Sequence, residues 1–264
     1  MSSNGLSETL GVVANALREV GEELTPFFGK IEKVNHKSAD GLSPVTEMDI
    51  RAEEFIVKQL SAHDASIGFH GEELGQSGSK ERFWLIDPID GTSHFIRGIP
   101  FCTSMVALVD NDEVVLSAIY NFITKELFLA EKGAGATLNG EPIHVNSRGP
   151  HGAYLSFETD LRDPKDEEPY LAFCKKYTIV HTINCGYEFG LVASGKLDGR
   201  ISLHPYGSDW DFAPGALLVK EAGGIVRNFG SSGYDFTNHN FIATNQILFK
   251  ELMNEKNELI IPTR

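Results

Sequence analysis

The chain has 264 residues, 41% hydrophobic and 23% charged, enough to bury a sizeable core in one large domain or two fused halves. Its formal net charge of -14 sets it against nucleic acid and anionic membrane, both polyanions; it suits carboxylates gathered around cations, or solubility alone. The three cysteines, Cys102, Cys174 and Cys185, show no CxxC spacing, which argues against a disulfide framework or zinc site and for a reducing cytoplasm. No apolar run approaches the roughly 18 residues of a membrane span. MSSNGLSETL lacks the basic-then-apolar order of a secretory signal, so a soluble cytoplasmic chain is expected.

In chain order, Leu6, Leu10, Val13, Leu17, Val20 and Leu24 lay an apolar stripe along a helix over residues 6–28. Ala52, Phe55, Ile56 and Leu60 do the same over 49–61, where Thr46 and Asp49 stand at capping-box spacing. From residue 83 the texture changes to short apolar runs divided by turn signals, predicting strands at 83–89, 104–109, 114–120 and 126–130. KGAGATLNGEPIHV, residues 132–145, reads as a turn-rich hairpin. The charged, proline-bounded DLRDPKDEEP, 160–169, reads as an exposed loop and the best boundary between halves. Helices are predicted at 187–194, ending at Gly195, and at 211–222, ending at Gly223-Gly224. Pro214 requires the second to begin near Asp209 or Asp211. The alternation implies a layered α/β sandwich. Its halves are residues 1–150, with the acidic motifs, and 151–264, with Asp211 and a substrate-recognition segment, forming one compact unit.

Acidic residues gather at the ends of these elements. Glu72 and Glu73 follow SIGFHG, Asp87 and Asp90 close the 83–89 strand, and Asp211 opens a helix. Each has a local explanation: DPIDG as a turn, Asp211 as an N-cap, Asp49 as half of a capping pair. Taken together, hard oxygen donors without histidine or cysteine at metal spacing select Mg²⁺, Ca²⁺ or Mn²⁺. A bend at Pro88 lets Asp87 and Asp90 converge, and a divalent cation would relieve their repulsion. Gly91 permits a tight turn, and Thr92 and Ser93 begin a helical turn whose N–H groups attract phosphate. Metal ions beside an amide cradle suit phosphoryl chemistry.

GEE (71–73), WLIDPIDGTSHFIRGIPF (84–101) and DWDFAPGALLVKEAGG (209–224), with PVTEMD (44–49), resemble the inositol monophosphatase family of metal-dependent phosphomonoesterases. The resemblance implies a five-layered α-β-α-β-α sandwich, usually a homodimer, acting on a small phosphate monoester with Mg²⁺ (Mn²⁺ as a possible substitute) and sensitive to Li⁺. By position, Glu72 resembles the ligand of the activating metal. Asp87 resembles the carboxylate bridging two ions, with the Ile89 carbonyl as a further ligand. Asp90 and Asp211 resemble the ligands of the second ion. The resemblance also implies that Thr92, hydrogen-bonded to Asp49, orients and helps deprotonate the attacking water, and that the Gly91 and Thr92 amides hold the phosphate.

The second half departs from the pattern. His204 stands where inositol-specific members carry a glutamate, and TINCGYE (182–188) replaces a Gly-Ser-Ala-Ala-like segment. Both leave the alcohol open and make Glu188 and His204 candidate substrate contacts; the plainer reading of His204 is packing at a turn. Histidinol phosphate and fructose 1,6-bisphosphate are the alternatives to an inositol phosphate, with 3′-phosphoadenosine substrates behind them. A non-catalytic binding or regulatory module on the same fold is the alternative of another class. Cys102 lacks a basic partner in sequence; His70 and His94 flank the acidic motifs; Arg97 sits in an exposed turn.

Overall fold

The computed structural model describes residues 3–37, 43–180 and 184–253. Helix α1 (Ser3–Leu24) passes through a 3-10 turn, Thr25–Phe27, to a ribbon of β1 (Asn35–His36) and β2 (Pro44–Val45), then α2 (Glu47–His63). Strands β3 (Gly68–Gly71), β4 (Gly75–Ser77) and β5 (Arg82–Asp90) precede the short helix α3 (Thr92–Arg97). Then come β6 (Thr103–Asp110), β7 (Glu113–Asn121), β8 (Glu126–Glu131), β9 (Gly135–Leu138) and β10 (Glu141–Pro142). The eight strands from β3 to β10 form one sheet in the order β10-β9-β8-β7-β6-β5-β3-β4. The remainder supplies β11 (Tyr154–Thr159), α4 (Pro164–Lys176), β12 (Thr178–Val180), α5 (Cys185–Ala193), β13 (Gly199–Leu203), α6 (Asp209–Glu221), β14 (Ile225–Asn228), β15 (Phe241–Thr244) and α7 (Gln246–Leu252). Its strands make a second sheet of five in the order β12-β11-β13-β15-β14.

Side-chain alternation explains the layering, because successive strand residues point to opposite faces. Trp84, Ile86, Val106 and Leu108 face Val13, Leu17, Val20 and Ile56 of α1 and α2. Their neighbours Phe83, Leu85, Met105 and Ala107 face Phe189 and Val192 of α5 and Phe212 and Leu218 of α6. Phe241 and Ala243 of the second sheet close on that helical layer from the far side. Leu155, Phe157, Ile201 and Ile242 turn outward onto Tyr170 and Phe173 of α4 and Leu248 of α7. The order is α1/α2, sheet, α5/α6, sheet, α4/α7: five layers with apolar cores between them. No described helix is long and apolar enough to cross a membrane. Cys102, Cys174 and Cys185 are free thiols.

Two elements differ from the sequence reading. DLRDPKDEEP is not a loop throughout: Asp163 caps α4 by accepting the Lys165 N–H at 3.0 Å, and Pro164 occupies the first turn. The acidic run is a helix start, which favours negative charge. Its buried apolar residues, Tyr170 and Phe173, lie beyond the charged stretch, within which Asp166 is also buried. The strands of the second sheet carry no clear sequence signal because they are short and polar on a buried face; Ser156, Arg200 and Ser202 are all buried. Thr182 and Ile183, at the start of TINCGYE, lie outside the described residues.

Candidate active site

In a regular strand, residues three apart point to opposite faces. Asp87 and Asp90 escape this because β5 bulges between them: Asp87 pairs with Met105 and Asp90 with Thr103, so three steps on β5 match two on β6. Pro88, which has no N–H to offer a ladder, sits in the bulge, and its carbonyl accepts the Ser104 hydroxyl at 2.7 Å. Both carboxylates therefore face the α5/α6 layer. The helix starts complete the cluster. Ser208 caps α6 and its N–H donates to Asp211 Oδ2 at 2.6 Å. At the start of α5 the Gly186 N–H donates to Asp90 Oδ2 at 2.6 Å. A Cβ at Gly186 would lie 2.3 Å from Met105 Sδ, so only glycine brings this amide so close.

Ligand oxygens of Asp87, Asp90 and Asp211 lie within 4.8 Å of one another. Burial is the main reason all three pKa values are raised, Asp90 up to about 7. Mutual repulsion adds to this: Glu72, Asp90 and Asp211 act on Asp87, and Asp90 acts on Asp211. The Gly186 N–H, the Thr103 hydroxyl and the charge of Arg200 restrain Asp90. Among the described residues, Asp87 Oδ1 is buried with no hydrogen-bond partner. An orphaned carboxylate oxygen among like charges, with oxygen donors only, fits a hard divalent cation.

Asp49 and Thr92 meet beside this cluster. Asp49 Oδ2 accepts from the Thr46 N–H at 2.8 Å and its hydroxyl at 2.6 Å, which closes the capping box of α2. Thr92 Oγ1 donates to Asp49 Oδ1 at 2.9 Å and also lies 3.1 Å from the Ile89 carbonyl. Gly91 holds φ at 87°, and a Cβ there would come 2.8 Å from Asn184 Nδ2 and 2.9 Å from the Phe101 carbonyl. Gly91 is the N-cap of α3. The first-turn amides of a helix have no intrahelical acceptor. Glu72 is salt-bridged to Lys37 at 2.8 Å, and Glu73 shares that lysine at 2.5 Å.

Several supports escaped the sequence reading. Glu53, buried on α2, accepts the Glu73 and Leu74 N–H groups at 2.8 and 3.0 Å and so fixes the turn carrying Glu72. Gly71 leaves room for it: a Cβ there would be 1.8 Å from Glu53 Oε1. Asn184 caps α5 by accepting the Tyr187 N–H and donates to the Asp90 carbonyl at 2.7 Å. An unpaired Glu in an amphipathic helix, and an Asn before one, carry no distinguishing signal in a single sequence.

The site opens into a cleft of about 450 Å³ whose lining includes Glu72, Asp90, Gly91 and Asp211. Neither candidate for reading the alcohol lines it. Glu188 is fully buried, bonded to Arg200 and Ser156, and offers nothing to the cleft. His204 is exposed and binds Asp166 of α4 through Nδ1 at 2.8 Å, a packing role at a turn. Glu158, Tyr206 and Trp210 line the cleft instead. His94 lines it too, with a buried Nδ1 that has no partner among the described residues, whereas His70 packs edge-on against Trp210 at 5.1 Å. Arg97 is exposed and donates to the Ser93 carbonyl. Burial pushes the Cys102 thiol up to about 12, which keeps it protonated and unreactive.

The sequence model of the inositol monophosphatase family matches residues 6–261. The chain belongs to this family. Inositol monophosphatase 1 of Solanum lycopersicum is 34% identical over 93% of this chain and 93% of its own length. A fructose-1,6-bisphosphatase/inositol-1-monophosphatase of Thermotoga maritima is 30% identical over 92% and 94%. Among solved structures, an IMPase of Thermotoga maritima superposes with a TM-score of 0.82 at 28% identity, covering 96% of this chain and 95% of its own. The five layers seen here are thus the inositol monophosphatase fold, and the carboxylate cluster lies inside the matched region.

Proposed function

We propose that the cleft hydrolyses the phosphate monoester of a small polyol or sugar, with myo-inositol 1-phosphate first among the candidates and fructose 1,6-bisphosphate or histidinol phosphate next. As a member of the inositol monophosphatase family the chain is a phosphoric monoester hydrolase. The observation that carries the reading is the meeting of Asp87, Asp90 and Asp211 oxygens within 4.8 Å, around an unpartnered oxygen and beside the Gly91 turn.

Glu72, Asp87, Asp90, Asp211 and the Ile89 carbonyl would hold about two or three Mg²⁺ ions, with Mn²⁺ as a substitute. When bound, such ions acidify water and neutralise charge on phosphoryl and leaving oxygens. The chain's own groups do the rest. Thr92 donates its hydroxyl hydrogen bond to Asp49, so the Thr92 oxygen is left to accept a hydrogen bond from a water and align it. Burial raises the pKa of Asp49, against the hydrogen bonds it accepts, which makes it a better base. The Gly91 and Thr92 amides would hold the phosphate at the head of α3. A homodimer and a cytoplasmic setting belong to the same proposal.

The test is phosphate release by purified protein from myo-inositol 1-phosphate, histidinol phosphate, fructose 1,6-bisphosphate and adenosine 3′,5′-bisphosphate, with and without Mg²⁺. Release that needs Mg²⁺ and stops on chelation is expected. No release from any of them, or release indifferent to Mg²⁺, would refute the reading.

A further inference from the structure

Resting on that reading, we propose that Glu158 is the hydroxyl-reading residue of the alcohol subsite, held in place by Arg200.

The position follows from the second sheet. β11 runs parallel to β13, with Ser156 opposite Arg200 and Glu158 opposite Ser202. Residues two apart share a face, so Ser156 and Glu158 both point away from the α4/α7 core, toward the α5/α6 layer. Arg200 is completely buried there. Its guanidinium lies over the rings of Phe189 at 5.1 Å and Phe212 at 5.8 Å, and one nitrogen binds Glu188 while another binds Glu158. A buried guanidinium needs paired carboxylates, and its planar fork fixes both of them. Glu188 is the deep partner. Glu158 is the shallow one: it is partly exposed and lines the cleft that holds Asp90 and Asp211. The Tyr206 N–H donates to its Oε1 at 3.2 Å, which anchors the second oxygen.

Among the described residues each Glu158 oxygen thus has one partner and keeps a lone pair for another donor. Arg200 is shared with Glu188, so Glu158 keeps its anionic character and is a strong acceptor for a hydroxyl donor. A neutral hydroxyl is the matching group. Tyr206 and Trp210 line the same cleft and add aromatic surface beside Glu158.

The test compares two esters with the same leaving-group ring: myo-inositol 1-phosphate, rich in hydroxyls, and cyclohexyl phosphate, which has none. Wild-type protein with Mg²⁺ is expected to prefer the first by at least about tenfold in kcat/KM, the scale of one hydrogen bond to a charged group. Glu158→Gln is expected to reduce that preference about tenfold or more, mainly through KM. Arg200→Lys, which keeps the charge but loses the fork, should shift the preference the same way. Should either variant fail to fold, Glu158→Asp and the wild-type comparison carry the test. Equal kcat/KM for the two esters, or a preference unchanged in a folded Glu158 variant, overturns the assignment and leaves the phosphatase reading standing. Absence of phosphate release from the whole panel overturns both.

Discussion

Thr92 Oγ1 donates to one oxygen of Asp49 at 2.9 Å, and the other oxygen of Asp49 caps its own helix by accepting from Thr46 at 2.6 and 2.8 Å. A single carboxylate both stabilises the start of α2 and orients the Thr92 hydroxyl at the start of α3. Asp211 repeats the device at the third position of α6, with Ser208 as its cap.

The two roles of Asp49 separate by mutation. Thr92→Ala should lower kcat by about 10²- to 10⁴-fold, with little change in stability. Asp49→Ala should lower kcat similarly and also lose about 1–2 kcal/mol of stability as the cap fails. Kinetics and urea unfolding of both variants check this. An Asp49→Ala protein as stable as Thr92→Ala would mean that the cap contributes little.

Asp87 is the carboxylate with the most to lose. Asp87→Asn should reduce Mg²⁺-dependent phosphate release by at least about 10³-fold, roughly 4 kcal/mol of barrier. The substitution also removes a buried like charge, so the metal-free variant should melt no lower than wild type. It should also gain less from added Mg²⁺. Full activity in this variant would contradict its assignment as a metal ligand.

The buried carboxylates predict a pH dependence of a definite sign. Burial raises Glu53 from 4.5 to about 7 and Asp90 from 3.8 to about 7. The folded state then holds protons that the unfolded state releases. The resulting stabilisation is fully present below the unfolded values and is lost as pH rises through about 7. Carboxylates with lowered values, Asp64, Asp160 and Glu126, act below 4.5; His94, lowered by burial from 6.5, opposes the trend only at the acid end of the window and is one group against two. Metal-free protein should therefore melt higher at about pH 5.5 than at about pH 8. Added Mg²⁺ should restore stability most at the higher pH, because ligands bind metal deprotonated. Scanning calorimetry across that range, with and without chelator, checks both; a melting temperature that rises with pH in chelator would sink the argument. Glu53→Gln should flatten the metal-free slope.

Gly91 is conformationally required. Gly91→Ala must hold φ near 87° and place a methyl 2.8 Å from Asn184 Nδ2. The expected result is a loss of about 1–3 kcal/mol. Thr92 should shift with the strained turn, so kcat should fall more than stability explains. Thermal melts and kinetics of this variant decide the matter; wild-type values in both would mean that the turn has room to relax.

Helices α1, α2, α5 and α6, the central strands and the acidic element ends were legible in the sequence, because local periodicity and capping chemistry write themselves into neighbouring residues; α4, behind its charged start, was not. Thr46 and Asp49 are three apart, and Asp87 to Thr92 is one continuous stretch. It also supplied the family, through DPIDGT and WD. Only the tertiary structure decided which carboxylates share a hollow. A bulge one residue long turned Asp87 and Asp90 to the same face, and packing of α5 and α6 against the sheet brought Asp211 to them. Glu158 and Glu188 show the same limit: both are acidic residues in mixed texture, yet Arg200 holds one at the cleft and the other in the interior. Burial and long-range pairing, which separate these two, are properties of the packed chain and leave no mark on a single sequence.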